Sequence, residues 1–426
     1  MADVRPPSRR EALAAGLSAA AGLTLGSAAR AQSVPPGERL GIGLIGAGNI
    51  AGAHFWPSLS YPDVRVVGVC DVHEGRMQAM VDVANRHYGS TVCRGHRDFR
   101  ELLARPDVDA VFVCTPDHWH AIQVIAAARA GKHIYAEKPL SLTFAEGRAM
   151  VEAVRRHGVC FQHGTQQRSA PEFRRAAELV RNGRAGKIHT VRVAVSGGRE
   201  SGWGRPKPPP PHIDWDLWLG PAPQAPYSDE RFDTQHWYFI QDYSAGGFIS
   251  GWGVHHVDSA QWGLGKDLTG PMEIEGRAVF PTDGMCDTPI TWHVQYTYPG
   301  VRVIFTSDNE QRFGVRFEGD RGQVFVNRGE FVTLPASIGR ERIGPDETLL
   351  YRSDNHHRNW IECIRSGRDP VAPVEVAHRS QTICILSDIA IRLGRKVRWD
   401  AARERIVGDP AASQMLARSM RSPWRL

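Results

Sequence analysis

Apolar residues fall into two regimes along this chain. Up to about residue 164 they form short, mostly apolar runs: Ile42 to Ile45, Val64 to Cys70 (VRVVGVC), Ala110 to Cys114 (AVFVC), His133 to Ala136 and Val159 to Gln162. Runs without a polar alternate read as strands buried on both faces. Between them lie helical stretches at Arg97 to Leu103, Ala121 to Ala130 and Thr143 to His157. This close β/α alternation predicts a doubly wound parallel sheet, whose ligand crevice lies at the carboxyl ends of its strands.

From about residue 165 the period changes. Pro171 to Arg181 reads as a helix. Long alternating strands follow at Lys187 to Ser196, Glu273 to Phe280, Thr291 to Tyr298, Val301 to Ser307, Gly314 to Phe317 and Gln323 to Asn327. Alternation predicts an open, mostly antiparallel sheet with one wet face. Its other face is expected to pack on helices or on another subunit. Helices at Asn355 to Arg365 and Val376 to Leu393 close the pattern, and Trp399 to Leu426 has little period of its own. Pro208 to Pro211 make the 202–214 stretch a stiff extended loop. The expected division is a leader (1–31), an arm (32–38), a nucleotide domain (39–164), a substrate and oligomerisation domain (165–398) and a tail (399–426).

Charge and cysteine usage narrow the classes. The formal net charge is +6, with four arginines against Asp3 and Glu11 in the leader alone. The remainder is scattered, so the basic cluster that nucleic-acid binding needs is missing. Ser8-Arg9-Arg10-Glu11-Ala12-Leu13 is a twin-arginine pattern, Ala14 to Leu25 a mild apolar stretch, and Ala29-Arg30-Ala31 a cleavage site. The expectation is periplasmic location by twin-arginine export, without stable membrane insertion after leader removal. The seven cysteines lack C-x-x-C spacing, which argues against a disulfide framework or zinc site. A single disulfide stays open.

The chemistry starts at Leu40 to His54, LGIGLIGAGNIAGAH. Gly46, Gly48 and Ala51 give G-x-G-x-x-A after a strand and before a helix. Gly46 allows the tight turn, Gly48 leaves room for a pyrophosphate, and Ala51 lets helix and strand approach. Free N–H groups at the helix start favour the phosphates. Asp71, 23 residues after Gly48, ends the next strand where a carboxylate holds ribose hydroxyls. It would repel a 2′-phosphate, so NAD is favoured over NADP.

Four further motifs complete an ordered set: Thr115-Pro116 with His120, Glu137-Lys138-Pro139, the Gly246-Gly247 pair, and His255 with Asp258. With the glycine turn and Asp71, they make the chain resemble the glucose–fructose oxidoreductase / inositol dehydrogenase / rhizopine-catabolism (Gfo/Idh/MocA) family over nearly all of its length beyond the leader. The leader and Ser422-Pro423-Trp424 look like an exported bacterial branch. The resemblance implies an N-terminal Rossmann domain, then an α/β domain whose sheet forms a homodimer or homotetramer. It also implies NAD(P) chemistry on a small-molecule sugar, sugar derivative or cyclitol.

Lys138 falls on the family's active-site lysine, with a cis Lys138–Pro139 bond expected. His255 is expected to carry a proton, since imidazole titrates near neutrality. Lys138 would act as base if desolvated beside a cationic nicotinamide, or would donate to the alcohol oxygen. Cofactor contacts are expected from Gly46, Gly48, Asn49, Ile50, Asp71, Thr115, Pro116, His120, Glu137, Lys138 and Gln166. Substrate contacts are expected from Arg168, Trp237, Tyr238, His256 and Asp258. No metal is implied.

One departure stands out. The family usually carries an aspartate four residues before the histidine, and this chain has Gly251 there. The lysine–aspartate–histidine relay is incomplete. The periplasm offers no free NAD pool to draw on, so an exported enzyme is expected to hold its cofactor tightly and recycle it. Sugar oxidoreduction is the first reading. An NAD-dependent glycoside hydrolase or lyase, oxidising a ring hydroxyl transiently before elimination and re-reduction, is the second. A non-catalytic nucleotide sensor is the third, and Lys138 with His255 argues against it.

Overall fold

The computed structural model describes residues 38–307 and 311–426; the expected leader (1–31) and most of the expected arm (32–38) lie outside them. The first sheet has six strands: β1 (Leu40–Ile45), β2 (Val64–Cys70), β3 (Arg94–His96), β4 (Ala110–Val113), β5 (His133–Ala136) and β6 (Phe161–His163). All neighbours are parallel, in the order β3-β2-β1-β4-β5-β6. The order reverses between β1 and β4, which opens a crevice beyond their carboxyl ends. The glycine turn follows β1 and Thr115-Pro116 follows β4, so the two segments meet at that crevice.

Separate hydrophobic clusters cover the two faces of this sheet. The helix Asp117–Arg129 is buried nearly all round. It begins four residues before the apolar run that predicted it, with Pro116 at its N-cap. The helix Glu74–Tyr88, not anticipated as an element, buries only Val81 and Ala84 and is fixed at its ends by the His73 cap and left-handed Gly89. Strand β3 also escapes the apolar pattern, because its residues are mostly exposed.

The second sheet has nine strands: β7 (Ile188–Ala194), β8 (Glu273–Val279), β9 (Thr291–Tyr298), β10 (Val301–Thr306), β11 (Gly314–Gly319), β12 (Gly322–Asn327), β13 (Glu330–Leu334), β14 (Val397–Asp400) and β15 (Arg405–Ile406). The order is β13-β12-β11-β7-β10-β9-β8-β14-β15. Among the described residues only the β7–β10 pair of this sheet is parallel. Along β9, Trp292, Val294, Tyr296 and Tyr298 are buried and the residues between them are not, the period of two that marks a one-sided sheet. The buried face packs on the helices Pro171–Arg181, Gly253–Leu264 and Val374–Leu393. Strands β13 to β15 were not expected; they are short edge elements with few buried positions.

The 374–393 helix joins the two halves. It packs against the helix Phe144–His157, and Arg148 bridges Glu375 at 3.0 Å and Glu404 at 2.6 Å. The tail is better ordered than its sequence period suggests. Trp424 stands edge-on to Trp119 at 4.7 Å, and Arg421 donates to the Gly220 carbonyl at 2.8 Å. All seven cysteines are free, and no described helix is long and apolar enough to cross a membrane.

Candidate active site

A cleft of about 600 Å³ runs from the glycine turn to the second sheet domain. At one end Gly46 adopts φ +96°, and a Cβ there would come within 2.8 Å of the Cys114 backbone, so only glycine fits. A Cβ on Gly48 would meet no protein atom within 4 Å. It would project into the space the cleft reserves. No side chain caps the start of the following helical segment, Asn49–Ala51 and Gly52–Ser60, which leaves backbone N–H groups for an anion. Asp71 accepts hydrogen bonds from the N–H groups of Ala47 (2.5 Å) and His73 (2.7 Å). A carboxylate offers about four acceptor sites, so Asp71, which lines the cleft, keeps about two spare. Burial raises the Asp71 pKa, against those two hydrogen bonds. These features fit a dinucleotide with its pyrophosphate on the turn and its ribose at Asp71.

Gly46, Gly48, Asn49, Ile50, Asp71, Thr115, Pro116, Glu137 and Lys138 all line this cleft. His120 does not. Its Nδ1 and Nε2 face the carbonyls of Pro139 (2.7 Å) and Thr115 (2.9 Å), so it ties two lining loops together from behind. Gln166 is exposed and away from the cleft, because it opens a 3-10 turn beyond β6. Glu137 is held by His54 (3.1 Å) and accepts from the Lys138 N–H (3.2 Å). Burial would raise its pKa, but His54 and Lys138 bring it down to about 2.

The catalytic end is built around Lys138, whose peptide bond to Pro139 is cis. Its Nζ donates to the Gly251 carbonyl at 3.0 Å and to Tyr238 Oη at 3.3 Å. Burial would lower the ammonium pKa, but Tyr238, Glu137 and Asp117 outweigh it and raise the pKa above its ordinary value. With these neighbours Lys138 is a charged donor rather than the lowered-pKa base that desolvation alone predicts. Trp237, Tyr238, Phe248 and Trp252 form the facing wall. The left-handed φ values of Gly246 (69°) and Gly247 (60°) turn the chain into that wall.

Four expected contacts are displaced. Arg168 and Asp258 do not reach the cleft; they pair with each other, at 2.6 Å (Nε–Oδ2) and 2.9 Å (Nη2–Oδ1). Asp267 takes the same guanidinium at 2.6 Å, and Ser380 donates to Asp258 at 2.8 Å. Burial would lower the Arg168 pKa, but the two carboxylates hold it well above its ordinary value. His255 is only 1% exposed and sits behind Trp252, edge-on at 5.8 Å, so Trp252 and not His255 forms the wall. Burial, then Lys138 and Arg328, push its pKa well below neutrality. His256 is buried against Phe173, with its pKa down at about 3 from burial.

The sequence reading missed Asp117, which lines the cleft and accepts from the Ala245 N–H at 3.1 Å. Burial pushes its carboxyl up to about 6. Its place directly after Thr115-Pro116 was the available signal. Arg76 and Arg97 line the Asp71 end, and Arg199 and Thr234 the wall opposite the glycine turn. Asn49 Nδ2 reaches Thr234 Oγ1 at 3.5 Å across it.

A glycine turn at the switch point of a parallel sheet, facing a lysine across one cleft, defines a two-domain dinucleotide-binding oxidoreductase. The oxidoreductase family's NAD-binding Rossmann-fold profile matches residues 40–165, and its C-terminal α/β-domain profile matches 197–426. The chain belongs to this family, known by its Gfo, Idh and MocA members.

Inositol 2-dehydrogenase from Rhizobium meliloti is 32% identical over 361 residues, covering 82% of this chain and 95% of its own. A glycosyl hydrolase family 109 protein from Saccharopolyspora erythraea is 35% identical over 158 residues, covering 35% of this chain and 34% of its own. The aldose-aldose oxidoreductase of Caulobacter crescentus shares the fold, with TM-score 0.62 at 20% identity, over 84% of this chain and 99% of its own. For several other curated relatives the chain spans only about half of the relative's length.

Proposed function

We propose that this protein oxidises a secondary hydroxyl of a sugar, sugar derivative or cyclitol with NAD, and restores the bound cofactor within each catalytic cycle by returning the hydride to the carbonyl of a second sugar. The observation that carries the reading is the placement of Lys138 Nζ in the same cleft as the Gly46–Gly48 turn. The inositol 2-dehydrogenase relative supports a polyol substrate.

The dinucleotide would be held by the turn, the uncapped helix start and Asp71, and when bound it supplies the hydride acceptor. Lys138 donates a hydrogen bond to the reacting oxygen and stabilises negative charge there. Trp237 and Tyr238 offer aromatic faces to the C–H faces of the ring. Asp71 favours NAD; Arg76 and Arg97 at the same end make the NAD-to-NADP affinity ratio worth measuring. The 1–31 leader supports export, which favours a cofactor carried along. The open face of the nine-stranded sheet supports a homodimer or homotetramer, which light scattering would detect.

The direct test is to denature purified protein and quantify released nicotinamide. About one equivalent per chain is expected; none would defeat the carried-cofactor reading. A second reading, redox-assisted glycoside cleavage, is favoured by Gly251 in place of the aspartate and by the family 109 relative. Nitrophenyl glycosides separate the two. Release that depends on Lys138 favours cleavage, and absence of release favours net oxidoreduction.

A further inference from the structure

The space that a side chain at position 251 would take is already filled. A Cβ on Gly251 would lie 2.0 Å from Tyr238 Oη and 2.4 Å from its Cζ. Tyr238 comes from the end of the short helix Thr234–Trp237, 13 residues earlier. Trp237 (5.2 Å), Phe248 (5.6 Å) and Phe239 (5.9 Å) hold its ring edge-on. Its hydroxyl faces the Lys138 ammonium at 3.3 Å, and both groups line the cleft. The expected aspartate is therefore replaced by a hydroxyl delivered through space from another segment.

We propose that Tyr238 is the proton acceptor of the redox step, paired with Lys138 in a site that only glycine at 251 leaves room for. This rests on the oxidoreductase reading above. The substrate carbinol O–H bond breaks and its proton forms a new O–H bond on the Tyr238 phenolate. The carbinol hydrogen would leave with the C–H electron pair as hydride to the oxidised dinucleotide held at the glycine turn, and C–O would become C=O. Lys138 stays charged throughout.

The competing groups are poorly placed. The Asp117 carboxylate lines the cleft, but its Oδ2 is engaged by the Ala245 N–H at 3.1 Å and, unlike the Tyr238 hydroxyl, it is not hydrogen-bonded to Lys138. His255 stands behind Trp252. Burial opposes ionisation of the phenol most, Lys138 favours it, and Asp117 and Glu137 oppose it, so that without cofactor the phenol pKa is held above its ordinary value. A bound oxidised nicotinamide adds positive charge and favours ionisation.

The test uses full-length, NAD-loaded protein and reads the ultraviolet tyrosinate band against pH. One transition should vanish in Tyr238→Phe and thereby be assigned. In Lys138→Met it should rise by about one to three pH units, the usual effect of an adjacent opposite charge. Oxidation of myo-inositol, D-glucose and glycerol, with a second sugar carbonyl compound supplied to take the hydride back from the bound cofactor, gives the second readout. Tyr238→Phe should lower kcat by about 10²–10⁴-fold, the usual loss of a general base, with KM and NAD content unchanged. An unmoved tyrosine transition in Lys138→Met overturns the proposal, and so does kcat within about threefold of wild type in Tyr238→Phe. If wild type oxidises none of the three, the oxidoreductase reading fails for those polyols and the titration alone decides the Tyr238–Lys138 pairing.

Discussion

Replacing Asp258 by alanine separates a structural ion pair from a substrate contact. In the native chain the Arg168 and Asp258 side chains are 4% and 2% exposed, and the guanidinium shares its donors between Asp258 and Asp267. Truncation at 258 leaves a buried cation with one carboxylate instead of two, and leaves the Ser380 hydroxyl without its acceptor. Removing one partner of a buried pair costs about 3–5 kcal/mol. Asp267 stays in place, so about 3 kcal/mol is expected. At about 2–4 °C per kcal/mol for a domain of this size, Tm should fall by about 6–12 °C. The double variant Arg168→Met, Asp258→Leu removes both buried charges and leaves Asp267 with Arg181 at 3.7 Å, so it should recover part of the loss. The assay is thermal unfolding by circular dichroism, alongside KM for an oxidised polyol. Unchanged Tm with a raised KM would refute the structural assignment and return both residues to the substrate.

Two further outcomes follow from the cleft. Gly48→Val places its side chain where the structure leaves open space, so Tm should hold while NAD affinity measured by calorimetry falls at least about tenfold, about 1.4 kcal/mol. Asp117 is pushed from 3.8 up to about 6, so the folded state binds more protons than the unfolded state between those values. Stability contributed by the protonated carboxyl is therefore lost as pH rises from about 4 to about 6. Denaturant titrations of Asp117→Asn should lack that loss, and an identical slope in both proteins would contradict it.

The first sheet was legible because parallel strands buried on both faces leave continuous apolar runs, and a glycine turn has a fixed position relative to them. Strand β3 and the 74–88 helix were not, since each buries too little to impose a period. Gly46, Gly48 and Asp71 come to one cleft because turn chemistry is local, while His120 and Gln166 do not line it. Lys138, Trp237 and Tyr238 line its other end, and the remaining expected residues there do not. Arg168, Asp258 and His255 carry the residue types that chemistry uses, and only packing shows that the first two satisfy each other and the third stands behind Trp252. Tyr238 in the space beside Gly251 is a contact between segments, with no signature in either one.

In the proposed function one cleft couples a bound dinucleotide to polyol oxidation at Lys138. The most direct measurement is the reduced-nicotinamide absorbance of NAD-loaded protein as cyclitols and aldoses are added. A rise in wild type that is absent in Lys138→Ala is the predicted result. A flat trace for wild type across the panel, or an undiminished rise in Lys138→Ala, would contradict it.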